Sequence, residues 1–181
     1  MPAPKTVTIY CASASGFDAR FAEAARALGA ALAGRGVAIA YGGAHVGLMG
    51  MTADAAREAG GRVIGVIPER LVEREVAHEN LTELVVVDTM HERKRQMADL
   101  GDAFVAMPGG LGTLDELFEI ATWSQLGMHT KPIVLLNVAG YFDHLIAFLN
   151  HAEESGLLQA RNRAIIQQVA DVPALLSLLF G

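Results

Sequence analysis

The sequence lacks the features that mark secreted, membrane-spanning or nucleic-acid-binding proteins. A single cysteine, Cys11, excludes an intramolecular disulfide, and the N-terminal residues lack the apolar core of a signal peptide. No apolar run approaches the roughly 20 residues of a membrane span. Acidic residues outnumber basic ones by 20 to 14, and a net charge of −6 argues against binding along a nucleic-acid backbone. We therefore expect a cytoplasmic protein that engages neither membranes nor nucleic acids.

Metal-binding patterns are also missing. The six histidines are scattered, and no His-x-x-x-His pair or Cys/His cluster accompanies them, so we predict no metal and no cofactor. What the chain does have is apolar content: 52% of its 181 residues are hydrophobic and 19% are charged. This composition and length predict one folded domain over residues 1–181.

Apolar runs typical of buried strands alternate with helical patterns along the chain. The predicted strands cover residues 7–10, 37–41, 63–67, 84–87, 103–107 and 133–136. The predicted helices cover about 18–33, 49–59, 90–100, 113–126, 141–154 and 173–179. Continuous apolar strands separated by helices predict an α/β fold: a single doubly wound Rossmann-like domain with a mainly parallel sheet. In such sheets ligands bind at the carboxyl ends of the strands.

Residues 108–116, Pro-Gly-Gly-Leu-Gly-Thr-Leu-Asp-Glu, follow one of these strands and begin a helix. Glycines at 109, 110 and 112 allow a ligand to approach the backbone, and the amides of a helix start attract an anion such as phosphate. Asp115 and Glu116 are then acids beside that anion. The alternative is that both acids only compensate the helix dipole.

Two further strand-end loops are rich in small residues. Residues 11–16 include Ser13, which suits a phosphate or ribose contact, although a simple strand-to-helix turn has the same composition. Residues 41–50 contain four glycines, with Gly43 and Met49 as candidate contacts. Their spacing fits neither the dinucleotide fingerprint nor a P-loop. We interpret the second loop as part of a nucleotide site.

A charged run at 91–97 lies at the start of a predicted helix. Such a run is usually a solvated face, but helical spacing places Arg93 on the same face as Met97 and Leu100. An arginine on an apolar face needs an anionic partner. Arg93 and Lys94 also gain nothing from the helix dipole at that end, so they are candidates for ligand binding.

Together these motifs resemble the LONELY GUY family, whose members are described as cytokinin riboside 5′-monophosphate phosphoribohydrolases. The family pattern P-G-G-x-G-T-x-x-E is matched in full at 108–116, and its R-K pair at 93–94. The pattern Y-G-G-G-x-V-G-L-M-G is matched at 41–50 except that Ala44 replaces a glycine. V-I-G-V-I-P at 63–68 and W-x-Q-L-G-x-H-x-K-P at 123–132 are present, and the opening C-G-S-S loop is matched more loosely.

The resemblance implies cleavage of the N-glycosidic bond of a nucleoside 5′-monophosphate, AMP included, to free base and ribose 5-phosphate. It implies Arg93 and Glu116 as the catalytic pair, and a homodimer with the active site near the interface. Combined with the loops above, the predicted substrate contacts are Ser13, Gly43, Met49, Glu75, Arg93, Lys94, Gly109, Gly110, Leu111, Gly112, Thr113, Leu114, Asp115, Glu116 and Thr122.

Two other functions compete with this one. A non-catalytic nucleotide or cofactor carrier would keep the glycine-rich loops but would not need Arg93 and Glu116 together. A lysine decarboxylase, an older label for similar proteins, would need a Schiff-base lysine. Of Lys5, Lys94 and Lys131, only Lys94 is suitably placed, and it already has a predicted phosphate role.

Overall fold

The computed structural model describes residues 3–72 and 77–181, and these form seven β-strands, eight α-helices and one 3₁₀ turn. The strands are β1 Thr6–Tyr10, β2 Ala38–Tyr41, β3 Val63–Pro68, β4 Glu83–Val87, β5 Ala103–Ala106, β6 Ile133–Leu136 and β7 Ile166–Val169. The helices are α1 Ala19–Ala33, α2 Gly47–Glu58, α3 Glu69–Val72, α4 Met90–Leu100, α5 Leu111–Gln125, α6 Asp143–Glu154, α7 Ala160–Arg163 and α8 Val172–Phe180. The 3₁₀ turn is Val138–Gly140.

The strands form one sheet in the order β4-β3-β2-β1-β5-β6-β7, and every neighbouring pair is parallel. The chain moves outward from β1 to β4, returns to β5 on the other side of β1, and moves outward again. The strand order therefore reverses between β1 and β5. Loops leaving the carboxyl ends of these two strands diverge there and open a crevice, which is where α/β sheets bind ligands.

Helices cover both faces of the sheet, as predicted. One buried cluster packs α1, α2 and α8 against the sheet, with Leu28, Leu48 and Leu175 among its members. The other packs α4, α5 and α6, with Met97 and Leu117 among its members. Burial on both faces explains why β3 and β5 are continuous apolar runs, every residue of which is buried.

One strand, two α-helices and the 3₁₀ turn were not predicted, and one boundary that matters for function differs. The strand β7 and the four-residue helices α3 and α7 lie outside the predicted elements. Helix α5 begins at Leu111, two residues before the predicted start at 113. Leu111 and Gly112 therefore belong to the first helical turn, and their amides are among those that a helix leaves without an internal partner.

No helix within the described ranges is both long enough and apolar enough to cross a membrane.

Candidate active site

A cavity of about 380 Å³ lies at the reversal of strand order between β1 and β5. Its walls come from the loop after β1, from α2 to α4, and from the start of α5. The residues lining it are Cys11, Ala12, Ser13, Ala14, Met49, Leu71, Met90, Arg93, Gly110, Leu111, Gly112, Thr113 and Glu116. Backbone hydrogen bonds join the loops that frame it, from Ala12 N to Pro108 O (3.2 Å) and from Met49 N to Ala12 O (3.2 Å).

The start of α5 supplies the polar end of the cavity. Gly110 is the N-cap residue, without a side-chain cap, and the first helical bond runs from Leu114 N to Gly110 O (3.1 Å). The amides of residues 111–113 precede that bond, so the helix leaves them available to an anion. A Cβ added at Gly109 would lie 2.0 Å from Oγ1 of Thr113. The tight turn therefore requires glycine at 109.

Arg93 is held at the floor of the cavity by backbone carbonyls. Thr89 and Glu92 form a capping box that begins α4, and Arg93 lies in its first turn. Its Nε donates to Val66 O (3.1 Å) and its Nη2 to Gly42 O (3.4 Å). Two of the three guanidinium nitrogens are thereby fixed, and the residue is only 5% exposed.

The remaining nitrogen, Nη1 of Arg93, faces Glu116. It lies 3.7 Å from Oε1 of Glu116, and Glu116 is itself 6% exposed. The helical spacing predicted that Arg93 shares the apolar face of α4 and needs an anionic partner, and the structure confirms both. At 3.7 Å the two groups are electrostatically coupled but too far apart for a direct hydrogen bond.

Burial raises the pKa of two side chains near the cavity, and nearby carboxylates add to the effect. Burial raises the pKa of the Tyr10 hydroxyl, and the carboxylates of Glu116 and Glu119 add to that effect. Burial likewise raises the pKa of the Cys11 thiol, with Glu116 as the second cause. Both groups are therefore neutral near pH 7. Arg93 and Glu116 are the charged pair of the cavity floor.

Lys94 lies outside the cavity, although it follows Arg93 in sequence. Its Nζ is 3.2 Å from a carboxylate oxygen of Asp115 and 3.1 Å from one of Glu119. Burial alone would lower the pKa of Lys94, but hydrogen bonds to Glu119 and Asp115 outweigh it and raise that pKa. The lysine thus links α4 to α5.

The other predicted contacts divide into two groups. Ser13, Met49 and the first turn of α5 line the cavity together. Gly43, Gly109, Leu114, Asp115 and Thr122 do not. Gly43 packs against β3, with Cβ of Ile67 3.2 Å from where its own Cβ would lie. Leu114 packs against the buried cluster under α5. Thr122 lies six residues beyond Glu116, about 9 Å further along the helix axis, where its hydroxyl donates to Phe118 O (2.7 Å). Glu75 lies outside the described residues.

Five lining residues were not identified as contacts from sequence: Cys11, Ala12, Ala14, Leu71 and Met90. Cys11 was considered from sequence only as the single cysteine of the chain, and Leu71 and Met90 were not singled out. Cys11 directly follows β1, so the rule for strand ends could have marked it. Leu71 belongs to the short helix α3, which carries no periodic signal. No group of three or more His, Cys, Asp or Glu that could hold a metal occurs in residues 3–72 and 77–181.

Fold and site define a class: a doubly wound α/β protein with an anion-attracting helix start beside a buried arginine–glutamate pair. Comparison with known proteins then identifies the family. A family model described as "Possible lysine decarboxylase" matches residues 49–179. The chain belongs to this family, the LONELY GUY family that its motifs resemble.

Curated relatives agree over nearly the whole chain. The chain is 46% identical over 172 residues to a cytokinin riboside 5′-monophosphate phosphoribohydrolase of Rhodococcoides fascians, spanning 94% of this chain and 87% of that protein. It is 43% identical over 175 residues to one of Arabidopsis thaliana, spanning 97% of this chain and 82% of that protein.

Solved structures of similar fold are more distant in sequence. A molybdenum cofactor carrier protein of Chlamydomonas reinhardtii superimposes with a TM-score of 0.72 at 22% identity, over 96% of this chain and 93% of that one. A molybdenum cofactor binding protein of Rippkaea orientalis gives 0.69 at 21% identity, over 96% and 92%. These likenesses concern the fold alone.

Proposed function

We propose that this protein hydrolyses the N-glycosidic bond of cytokinin riboside 5′-monophosphates to free base and ribose 5-phosphate. Its relatives from R. fascians and A. thaliana are named for this reaction, and each aligns with more than nine-tenths of the chain. The observation that supports the proposal in this chain is the buried pair of Arg93 and Glu116 on the floor of a cavity that also exposes the start of α5.

The 5′-phosphate is assigned to the first turn of α5. The amides of residues 111–113 and the positive end of the helix dipole attract a dianion there. A Cβ at Gly110 or at Gly112 would meet nothing within 4 Å, so both glycines face open space that a ligand can fill. Thr113 is buried at the same turn and adds a hydroxyl.

Glu116 lies three residues beyond Thr113, about 4.5 Å further along the helix, a spacing that suits the ribose of a substrate whose phosphate binds at the first turn. When the bond from C1′ to the base nitrogen breaks, its electron pair leaves with the base and the ribose gains oxocarbenium character. A carboxylate stabilises that positive charge and orients the water whose oxygen bonds to C1′. A proton from the water is transferred to the departing base.

Arg93 is assigned to the departing base and not to the phosphate. Its Nη1 lies beside Glu116, one helical turn away from the amides assigned to the phosphate. A fixed positive charge there stabilises the electron pair that the base takes with it. The carbonyls of Val66 and Gly42 keep the guanidinium in this orientation without help from substrate.

A homodimer, with the cavity near the interface, is the second part of the proposal. Helix α5 carries Glu116 and exposes Phe118 (38%), and the residue that caps its C-terminal end, Leu126, is 68% exposed. Exposed apolar side chains grouped on one helix are typical of an interaction surface. Thr122 lies between them and outside the cavity, which suits a contact made across an interface. Light scattering at micromolar concentration tests this, and a fully active monomer would contradict a shared site.

The alternatives receive less support from the site. None of Lys5, Lys94 and Lys131 is among the residues that line the cavity. Nζ of Lys94 is paired with two carboxylates, and Nζ of Lys131 donates to Ala98 O (2.9 Å). Neither lysine is therefore placed to form a Schiff base with a ligand in the cavity. A nucleotide carrier would require no catalytic pair. The cytoplasmic location stays a prediction from sequence.

Base release measured by chromatography tests the proposed reaction. We expect release from isopentenyladenosine 5′-monophosphate and from AMP, and at least about tenfold lower kcat/KM for the unphosphorylated riboside, because phosphate binding energy is lost. The ratio of kcat/KM for the two nucleotides gives the base preference. Nucleotide binding without base release would favour the carrier. Full activity in Glu116→Ala or Arg93→Ala would contradict the assigned pair.

A further inference from the structure

Tyr141 contacts the glycine-rich turn from a distant part of the chain. Its hydroxyl donates a 2.7 Å hydrogen bond to Gly109 O, 32 residues away. We propose that Tyr141 is a positioning residue that fixes the direction of the Gly110 amide and thereby prepares the turn for the 5′-phosphate. This inference rests on the proposed function, since it assumes that the start of α5 holds that phosphate.

The effect follows from the geometry of the peptide bond. Gly109 O and Gly110 N–H belong to one planar peptide group, and in a trans peptide they point in opposite directions. A bond that holds the oxygen toward Tyr141 therefore turns the Gly110 N–H away from Tyr141. Because glycines flank this peptide on both sides, its rotation would otherwise be inexpensive. Gly110 itself lines the cavity.

The ring of Tyr141 is held on two sides. Phe21 of α1 meets it edge-on with ring centroids 5.4 Å apart, and Phe142 does so at 5.0 Å. Edge-to-face aromatic pairs of this separation are favourable beyond the area they bury. Tyr141 is 43% exposed, and these two ring contacts orient the side chain whose hydroxyl reaches Gly109.

The backbone before Tyr141 is held equally firmly. Within the described ranges, Ala139 (φ 56°) is the only residue other than glycine with a positive φ. Gly140 follows it with φ 72°. Asn137 closes the turn by accepting from Phe142 N (2.7 Å) and donating to Oδ1 of Asp143 (2.8 Å). Left-handed alanine is unfavourable and persists where surrounding contacts determine the backbone. Here those contacts fix the backbone that places Tyr141 beside the glycine-rich turn at Gly109.

Tyr141→Phe removes the hydroxyl and keeps the ring. We expect KM for isopentenyladenosine 5′-monophosphate to rise about three- to tenfold, the usual range for one lost hydrogen bond, with kcat changed less than about twofold. The inhibition constant of ribose 5-phosphate should rise by the same factor. The Kd of the unphosphorylated riboside should not change. The matched control is Thr8→Val, which also removes one hydroxyl hydrogen bond, from the buried Thr8 to Met97 O (2.8 Å), but at a residue that does not line the cavity.

The outcomes separate this inference from the function on which it rests. If the wild-type protein has the same kcat/KM for the riboside and for the monophosphate, the assignment of the 5′-phosphate to the start of α5 is wrong. If the wild type prefers the monophosphate and Tyr141→Phe has unchanged constants, the role of Tyr141 is wrong. Equal losses for riboside and monophosphate in Tyr141→Phe would also overturn it, since they would indicate general damage.

Discussion

Nη2 of Arg93 occupies the position at which a side chain on Gly42 would begin. A Cβ built on Gly42 would lie 1.9 Å from that nitrogen, and the carbonyl of the same glycine accepts its hydrogen bond at 3.4 Å. Gly42, the first glycine of the 41–50 loop, therefore both leaves room for the Arg93 guanidinium and accepts a hydrogen bond from it. This loop was interpreted from sequence as part of a nucleotide site, and the structure shows Met49 lining the cavity while Gly42 holds the catalytic candidate in place.

Gly42→Ala should displace the guanidinium. Because the new methyl group and Nη2 cannot share the space, we expect kcat to fall by at least about tenfold and stability to fall by roughly 1–3 kcal/mol. Steady-state assays of base release and thermal unfolding measure the two effects.

Gly36→Ala is the matched control for Gly42→Ala. Gly36 has φ 70° and nothing within 4 Å of an added Cβ, so alanine there strains only the backbone. It should cost about 1–2 kcal/mol of stability with no change in kcat. If Gly42→Ala behaved like Gly36→Ala, the contact with Arg93 would not matter for activity.

Glu116→Gln should abolish most of the activity while preserving the shape of the site. The amide cannot supply the negative charge that stabilises the oxocarbenium-like ribose, so we expect kcat to fall by about 10²- to 10⁴-fold. KM should change little, because the phosphate contacts remain. Glu154→Gln, at the exposed C-terminal end of α6, removes a carboxylate far from the cavity and should leave kcat unchanged. A Glu116→Gln variant with more than about a tenth of wild-type kcat would contradict the assigned role.

The sequence was most informative where burial and periodicity are strong. β3 and β5 are fully buried apolar runs, and both were predicted within a residue. β7 was missed because Gln167 and Gln168 are exposed on this edge strand, leaving only two apolar residues in the element. The four-residue helices α3 and α7 are too short for any helical period to show.

The candidate site divides in the same way. The apolar face of α4 predicted that Arg93 is buried, and the glycine-rich motif predicted the helix start that carries Glu116. The carbonyls that orient Arg93 belong to Val66 and Gly42, which lie 27 and 51 residues away in sequence. Every residue has a backbone carbonyl, so the residue types in the sequence do not reveal which carbonyls accept these bonds. Lys94 was grouped with Arg93 by adjacency, but neighbouring helical residues point about 100° apart.

Lys94 provides a test of two roles. It is predicted from family resemblance as a substrate contact, whereas the structure favours a link to Asp115 and Glu119 that holds α4 against α5. We expect Lys94→Met to lower kcat more than it raises KM, because the distance between Arg93 and Glu116 depends on that link. The double variant Asp115→Asn with Glu119→Gln should reproduce the loss. A rise in KM confined to Lys94→Met would instead identify Lys94 as a substrate contact.

Cys11 should be chemically inert in the folded protein although it lines the cavity. Burial raises the pKa of its thiol, with the carboxylate of Glu116 as the second cause, so the thiol stays protonated at pH 8. Because the thiolate is the reactive form, iodoacetamide should label native protein at least about a hundredfold more slowly than unfolded protein. Raising the pH from 7 to 9 should accelerate labelling only of the unfolded chain. The single cysteine makes the unfolded chain its own control in mass spectrometry. Rapid labelling of the native protein that rises with pH between 7 and 9 would show that Glu116 and burial do not suppress the thiolate.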